Sequence, residues 1–222
     1  RSQNRLKAST PFSNEYLVDT LRHTFWFLPK VDSCFAMKNL MCEPQNAFFQ
    51  DYSIVVAAGN QAGMGVDAII PVKEAMSNPD PLSTKSITLS CGKLTTGVTI
   101  KPWTGIFILR NLNSPETYFQ AAFRVQSPWT IINRELSSCN DIEVLKDDCY
   151  VFDFSPNRAL KQIADYSCRL SLDEDNPEIK VQDFIKYMPI LAYEDGKIFQ
   201  MHAESILDVS LSGTSASLLA RR

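Results

Sequence analysis

The chain has 222 residues, of which 45% are hydrophobic and 21% are charged. This length allows one large domain, or one domain of about 150 residues with an appendage, and the composition is that of a soluble globular protein. The formal net charge of −3 lacks the basic excess of an autonomous nucleic-acid-binding domain, so any DNA contact must use local Lys and Arg side chains.

Short apolar runs alternate with helical patterns over most of the chain. Predicted strands cover residues 24–28, 52–58, 86–91, 105–109 and 149–154, and predicted helices cover residues 16–21, 31–41, 66–77, 115–123 and 157–167. Continuous apolar runs are typical of strands buried on both faces, and strands that alternate with helices form an open, mostly parallel sheet. The sequence therefore predicts an α/β fold.

The C-terminal part follows a different pattern. It reads as an acidic linker at residues 171–178, a helix at 181–188, a hairpin at 190–201 and a short helix at 203–207. We expect an N-terminal arm at residues 1–14, a main domain at 15–170, and a linker with an appendage at 171–222. The first residue is not Met and the last two are Arg, so we interpret the chain as a fragment of a longer parent protein.

Membrane segments and metal-binding spacings are both lacking in the sequence. No apolar run reaches the roughly 18 residues of a membrane span, and no signal peptide opens the chain, so we expect a cytoplasmic protein without membrane contact. The six cysteines form no CxxC pair and only two histidines are present, so no zinc site is predicted. The cysteines lie in apolar runs and are predicted to be reduced and buried.

Two glycine-rich stretches follow predicted strands, as a phosphate-binding loop does. The glycines of Gly59–Gly65 do not have dinucleotide-binding spacing, and no Lys-Ser or Lys-Thr pair follows them. A P-loop ending at Gly92-Lys93 would need Gly at position 87 and Ser or Thr at position 94, where the chain has Ile87 and Leu94. We therefore exclude a Walker A site and interpret these glycines as turn residues.

The stretch from residue 91 to residue 129 carries a more specific pattern. Its first part, Gly92–Ile100 (GKLTTGVTI), resembles helicase motif V, and Gln120–Ser127 (QAAFRVQS) resembles motif VI, whose common form is Q-x-x-G-R-x-x-R. With a predicted strand between them, residues 15–168 resemble the second RecA-like domain of superfamily 2 helicases and translocases. The motifs resemble those of R subunits of type I restriction enzymes and related helicase-bearing restriction proteins.

This resemblance implies a RecA-like fold, similar to that of P-loop NTPases, with helices on both faces of the sheet and a small α+β appendage at the C-terminus. It also implies that ATP and Mg²⁺ bind only in the full-length parent, between two RecA-like domains, and that the first domain supplies Walker A and Walker B. The fragment alone would then be inactive. Expected partners are double-stranded DNA, the first RecA-like domain, and specificity and methylation subunits.

Each functional residue expected from the resemblance has a physical reason. A planar, permanently charged guanidinium suits the γ-phosphate of ATP, and Thr or backbone N–H groups position DNA phosphates without reading sequence. The expected catalytic residues are Arg124, as the arginine finger, and Gln120; the nucleotide-binding residues are Gly97, Thr99 and Arg124; the DNA-binding residues are Lys93, Thr95 and Thr96.

Three departures from the common motifs keep a second interpretation open. Phe123 stands for the Gly of motif VI, Ser127 stands for its second Arg, and Thr99 stands for the Asp often found in motif V. The alternative is a non-catalytic, degenerate RecA-like scaffold or partner-binding module. A third class, an independent α/β enzyme, is disfavoured because the chain has neither a G-x-S-x-G elbow nor a dinucleotide fingerprint.

Other side chains have both a structural and a functional interpretation. Trp103 and Trp129 either pack in the interior or stack on a nucleic-acid strand, with packing favoured. Arg110 is either a surface residue or a DNA contact, and Arg158 is either structural or a support for the nucleotide cleft. The acidic pair Asp147-Asp148 matches no nuclease motif, and an acidic turn is the favoured interpretation.

Overall fold

A computed structural model of the protein describes residues 11–13, 15–60, 63, 67–77, 80–95, 97–132, 142–170, 174–194 and 197–212. The strands are β1 (His23–Phe27), β2 (Ser53–Val56), β3 (Ser86–Ser90), β4 (Gly105–Ile108), β5 (Thr130–Ile132), β6 (Ile142–Val144), β7 (Tyr150–Asp153), β8 (Leu191–Glu194) and β9 (Lys197–Gln200). The α-helices are α1 (Glu15–Thr20), α2 (Val31–Met41), α3 (Ile70–Ser77), α4 (Pro115–Ala122), α5 (Pro156–Leu170), α6 (Pro177–Tyr187) and α7 (Ala203–Ser212).

Five of these strands form one sheet in the order β2-β3-β1-β4-β7. β1 pairs in parallel with β3 and β4, and β2 pairs in parallel with β3. All residues of β1, β3 and β4 are buried, whereas the edge strands β2 and β7 are largely half-buried. The predicted α/β fold with an open parallel sheet is confirmed, and it is consistent with a RecA-like domain.

The chain divides into two compact units. The first consists of residues 1–111 and 120–152 and contains the sheet, and the second consists of residues 112–119 and 153–222. The domain limits expected from the sequence, 15–170 and 171–222, stay a prediction, because a compact unit is not the same as a domain of a parent protein. The N-terminal arm at 1–14 falls mostly outside the described residues.

Aromatic side chains form the core of the first unit on one face of the sheet. Trp26 and Phe107, on neighbouring strands, stack at 4.7 Å between ring centroids, and Phe107 lies 4.8 Å from Phe152 on β7. Phe12, from a 3₁₀ turn before α1, stacks on Phe107 at 5.4 Å. On the same strand as Trp26, Phe25 contacts Trp103 at 4.8 Å, and Trp103 is fully buried, which confirms the packing interpretation for Trp103.

The second unit is built from helices α5, α6 and α7 with the β8–β9 hairpin. The side chain of Asn176 caps α6 by accepting a hydrogen bond from the Glu178 N–H at 2.9 Å. The hairpin and the helices of this part confirm the elements predicted for residues 181–207, although α6 begins earlier and α7 ends later than expected.

An aspartate side chain holds the chain just before α5. The Asp153 carboxylate accepts from the Ser155 backbone N–H at 2.8 Å. The same carboxylate oxygen is ion-paired with Arg158, and both side chains are largely buried. This pair supports the structural interpretation of Arg158, since a partly buried ion pair fixes a side chain locally.

The predicted burial of the cysteines is wrong for most of those described. Cys34 on α2 is buried, but Cys91, Cys149 and Cys168 are half-buried and Cys42 is exposed; Cys139 lies outside the described residues. Cys42 is exposed because it follows the last residue of α2, where the chain leaves the helix. All five described cysteines are free thiols.

Two elements have no counterpart in the sequence prediction. A 3₁₀ segment covers Pro44–Asp51, and β5 and β6 form an antiparallel ribbon. Both are short, and the strands of the ribbon have three residues each, so neither produces a periodic pattern.

The buried His23 on β1 gives a prediction about pH. Pro81 O can only accept, so His23 Nε2–H donates to it at 2.7 Å and Nδ1 accepts from Ser86 Oγ at 2.9 Å, which is the bonding of a neutral ring. Burial lowers the pKa of His23 below its usual 6.5. The unfolded chain therefore takes up the proton first, and stability should fall as pH drops through 6.5 towards the folded-state pKa.

This prediction is checked by urea unfolding between pH 7.5 and 5 of the wild type and of His23→Gln, whose amide keeps a donor and an acceptor but does not titrate. We expect a steeper loss of unfolding free energy for the wild type. Equal pH slopes for the two proteins would show that His23 does not contribute.

Candidate functional site

Parallel pairing places the segments that follow β2, β3 and β4 at one edge of the sheet. Because the carboxyl ends of parallel strands meet there, residues 57–60, 91–95 and 109–111 are neighbours, and this edge is where ligands bind in open α/β sheets. We call it the carboxyl edge. The segment that resembles motif V begins here.

Ser90 and Lys93 join the segments after β2 and β3. Ser90 Oγ lies 2.8 Å from Ala57 O and 2.7 Å from Lys93 O and donates its single proton to one of them at a time. The Lys93 ammonium donates to Gly59 O at 2.5 Å and also to Gly63 O. Lys93, expected to contact DNA, therefore binds backbone carbonyls of a neighbouring loop in this structure.

Two residues in the segment after β3 have a left-handed backbone conformation. Leu94 has a φ of 65° although it is not glycine, and its side chain is buried, so the burial of Leu94 offsets the cost of the left-handed conformation. Gly97 has a φ of 70°, which a residue with a Cβ adopts only with strain. Thr95 Oγ1 donates to Gly92 O at 2.7 Å and closes the turn.

Arg110 lies at the same edge, directly after β4. Its guanidinium stacks on the Phe27 ring at 4.8 Å, and its Nη1 donates to Cys91 O at 2.8 Å. Arg110 is half-buried rather than fully exposed. Nearby, burial and the adjacent Cys91 raise the pKa of the Cys34 thiol to about 12, so Cys34 remains protonated at neutral pH.

Arg124 lies beyond the end of the α-helix that precedes it. Helix α4 ends at Ala122, and Arg124 belongs to a 3₁₀ turn over Phe123–Gln126. Its Nε–H donates to Gln120 O at 3.1 Å, and its Nη1 donates to Val98 O at 2.6 Å. The tighter turn thus directs the guanidinium towards the segment that resembles motif V.

The structure brings some of the expected site residues together. Arg124 contacts the carbonyl of Val98, which lies between Gly97 and Thr99, and both of these residues are exposed. Gln120 contributes its backbone carbonyl, whereas its side chain was expected to act. Thr96 lies outside the described residues, and the roles assigned to all of these side chains stay predictions.

Sequence reasoning missed two residues that hold these segments. From the sequence, Ser90 is predicted only to end a strand, and Lys146 is one of several charged residues in a polar stretch. Lys146 donates to three carbonyls that are 21 to 45 residues away in sequence. A local sequence pattern cannot predict contacts over such separations. Within the described residues, no cluster of His, Cys, Asp and Glu is suited to a metal ion.

The site and the sheet together define an α/β domain with paired loop segments at its carboxyl edge. No protein-family model matches the chain. The chain is 30% identical over 206 residues to a Mycoplasma pneumoniae protein named "Putative type II restriction enzyme and methyltransferase RM.MpnORF110P C-terminus". The match covers 90% of this chain but only 27% of that protein, so the chain spans about a quarter of the length of its relative.

This relative supports a relation to restriction proteins, but not the relation to type I R subunits or to helicases. Its name refers to restriction and methylation, so the chain is related to a protein of a restriction system. The name gives type II, not type I, and does not mention a helicase or ATP. Separately, none of the helices in the described ranges is long and apolar enough to cross a membrane.

The Lys93 contacts give a prediction that separates a loop-holding role from a DNA-binding role. Lys93→Met keeps the length of the side chain but removes the donor to Gly59 and Gly63. We expect the free energy of unfolding in urea to fall by about 1–3 kcal/mol, because hydrogen bonds from a charged group are among the stronger ones. Lys73→Met, on the exposed side of α3, is the control and should change stability by less than about 0.5 kcal/mol. Unchanged stability in Lys93→Met with weaker DNA binding by the parent protein would instead assign Lys93 to DNA.

Proposed function

We propose that this chain is the second RecA-like half of an ATP-dependent DNA translocase within a restriction protein. Three observations support the proposal: the parallel sheet, the hydrogen bond that joins the two motif-like segments, and the relative named for restriction and methylation. Because the relative carries a type II name, we propose the broad class of helicase-bearing restriction proteins rather than a type I R subunit.

The observation that carries the proposal is the hydrogen bond from Arg124 Nη1 to Val98 O at 2.6 Å. It joins the segment that resembles motif VI to the segment that resembles motif V, which are 26 residues apart in sequence. The two segments are therefore in direct contact. Contact between the segments is what a shared nucleotide site requires.

The chemistry of Arg124 fits the role of a finger that acts across a domain interface. During hydrolysis, water attacks the γ-phosphorus of ATP, the bond to the β,γ-bridging oxygen breaks, and negative charge develops on the leaving ADP and on the phosphoryl oxygens. A guanidinium keeps its charge at every physiological pH and presents several donors in one plane. In this proposal Arg124 stabilises that charge, while the first RecA-like domain of the parent protein holds ATP and Mg²⁺.

The remaining residues of the two motif-like segments have proposed supporting roles. Gly97 and Thr99, on either side of the carbonyl that binds Arg124, are exposed and are proposed to contact nucleotide. The loop that begins at Lys93 is proposed to contact DNA phosphates, with backbone N–H groups as donors. Such contacts position the DNA backbone without reading its sequence, as movement along DNA needs.

Replacing Arg124 by Ala in the parent protein tests the proposal. We expect DNA-stimulated ATP hydrolysis to fall by at least about 10³-fold, which is the usual contribution of an arginine finger. Binding of ATP and of double-stranded DNA should change little, because the first domain provides the nucleotide cradle. Steady-state kinetics with filter binding measures both.

Arg169→Ala is the matched control, since Arg169 is exposed and pairs with the exposed Glu116. This variant should keep wild-type ATP hydrolysis. If Arg124→Ala also keeps it while the protein remains folded, the proposal fails. The non-catalytic scaffold, which the missing second Arg at Ser127 favours, would then be the better account.

A further inference from the structure

The ammonium of Lys146 is enclosed by backbone carbonyls of the first unit. It donates to Lys101 O at 2.9 Å, Trp103 O at 3.0 Å and Val125 O at 2.8 Å. A lysine ammonium has three N–H donors, so each of them has one acceptor. Lys146 is half-buried, and this burial lowers its pKa to about 8.

The ribbon of β5 and β6 fixes the position of Lys146. Thr130 pairs with Val144, and the Leu145 backbone N–H donates to Trp129 O at 2.8 Å. Lys146 therefore follows, by two residues, a strand that is hydrogen-bonded to the chain just after the 3₁₀ turn of Arg124. Its backbone is held close to the segment that its side chain binds.

The three acceptors belong to two segments that must keep a fixed relation. Val125 directly follows Arg124, and its side chain is fully buried. Lys101 and Trp103 follow the segment that resembles motif V, and Trp103 is fully buried against Phe25. Lys146 therefore ties the turn that carries Arg124 to a rigid part of the core.

Arg124 also joins these two parts of the chain. It lies on the 3₁₀ turn and donates to Val98 O, whereas Lys146 donates to both parts from the segment that follows β6. We propose that Lys146 is a positioning residue for Arg124, because its three hydrogen bonds fix the turn from which the guanidinium reaches the nucleotide. This inference rests on the proposed function of Arg124 only for its effect on ATP hydrolysis. Its structural part stands on the contacts.

A loss of these hydrogen bonds should affect rate more than binding. Without the ammonium, three carbonyls lose their donor and the turn is free to shift, and a misplacement of about 1 Å in a catalytic group costs on the order of 10²-fold in rate. The ground-state affinity for ATP should change little, since Arg124 contributes mainly when charge develops on the phosphate. The expected signature is a lower kcat with a nearly constant KM.

The test uses Lys146→Met, which keeps the length and apolar stem of the side chain. In the parent protein we expect kcat for ATP hydrolysis to fall on the order of 10²-fold, with KM for ATP within about threefold of the wild type. In the 222-residue chain, the ¹H–¹⁵N signal of Arg124 Nε–H should shift, and its solvent exchange should become about tenfold faster, because the bond to Gln120 O is weakened. Lys73→Met is the control for loss of one positive charge and should change none of these values.

A double-mutant cycle separates a positioning role from a general loss of stability. In an Arg124→Ala background, Lys146→Met should cause no further loss of kcat, because its effect passes through Arg124. If the two losses multiply, or if Lys146→Met leaves the Arg124 Nε–H signal unchanged, the inference is overturned. Urea unfolding ensures that both single variants are folded under the assay conditions.

Two further outcomes keep the inference separate from the proposed function. If Arg124→Ala retains ATP hydrolysis, the proposed function fails, and the Arg124 Nε–H signal in Lys146→Met still decides whether Lys146 positions the turn. If Lys146→Met does not fold, Lys146→Arg replaces it. A planar guanidinium does not reproduce the three-way geometry, so the Arg124 signal should shift in this variant too, and an unchanged signal contradicts the inference.

Discussion

Parallel pairing of the buried strand β1 with β3 and β4 is the constraint on which the rest of the first unit depends. It forces every segment that leaves β2, β3 or β4 to begin at one edge of the sheet. Residues far apart in sequence therefore become neighbours there without any local signal. The same pairing buries all three central strands, which explains why they are continuous apolar runs and not alternating ones.

Segments that leave a sheet in this way expose backbone carbonyls that no strand satisfies, and basic side chains supply the missing donors. Lys93, Arg110, Arg124 and Lys146 all donate to carbonyls of other segments of the first unit. A charged donor forms a stronger hydrogen bond than a neutral one, particularly where water is partly excluded. The net charge of −3 therefore does not show how the basic side chains of the first unit are used, because several of them bind backbone carbonyls.

The sequence predicted those features that depend on local pattern and on burial. The five strands of the sheet, helix α2 and the β8–β9 hairpin were placed within a few residues, because continuous apolar runs and turn residues mark them directly. The β5–β6 ribbon was missed because its strands are short, and the 3₁₀ turn at Arg124 was missed because its sequence continues the helical pattern of α4. The three acceptors of Lys146 were beyond prediction, since each contact spans more than 20 residues.

The contacts of Arg124 also show how a folded chain can order an arginine side chain in the absence of a ligand. A free arginine side chain has about 2 kcal/mol of rotamer entropy to lose when it binds a phosphate. Here the Nε–H and one Nη1–H are already bound to Gln120 O and Val98 O, so much of that ordering takes place when the chain folds. Carbonyls can hold a guanidinium without neutralising its charge, whereas a carboxylate partner would compete with an incoming phosphate. Anchoring by neutral carbonyls therefore orders an arginine while leaving its positive charge uncompensated.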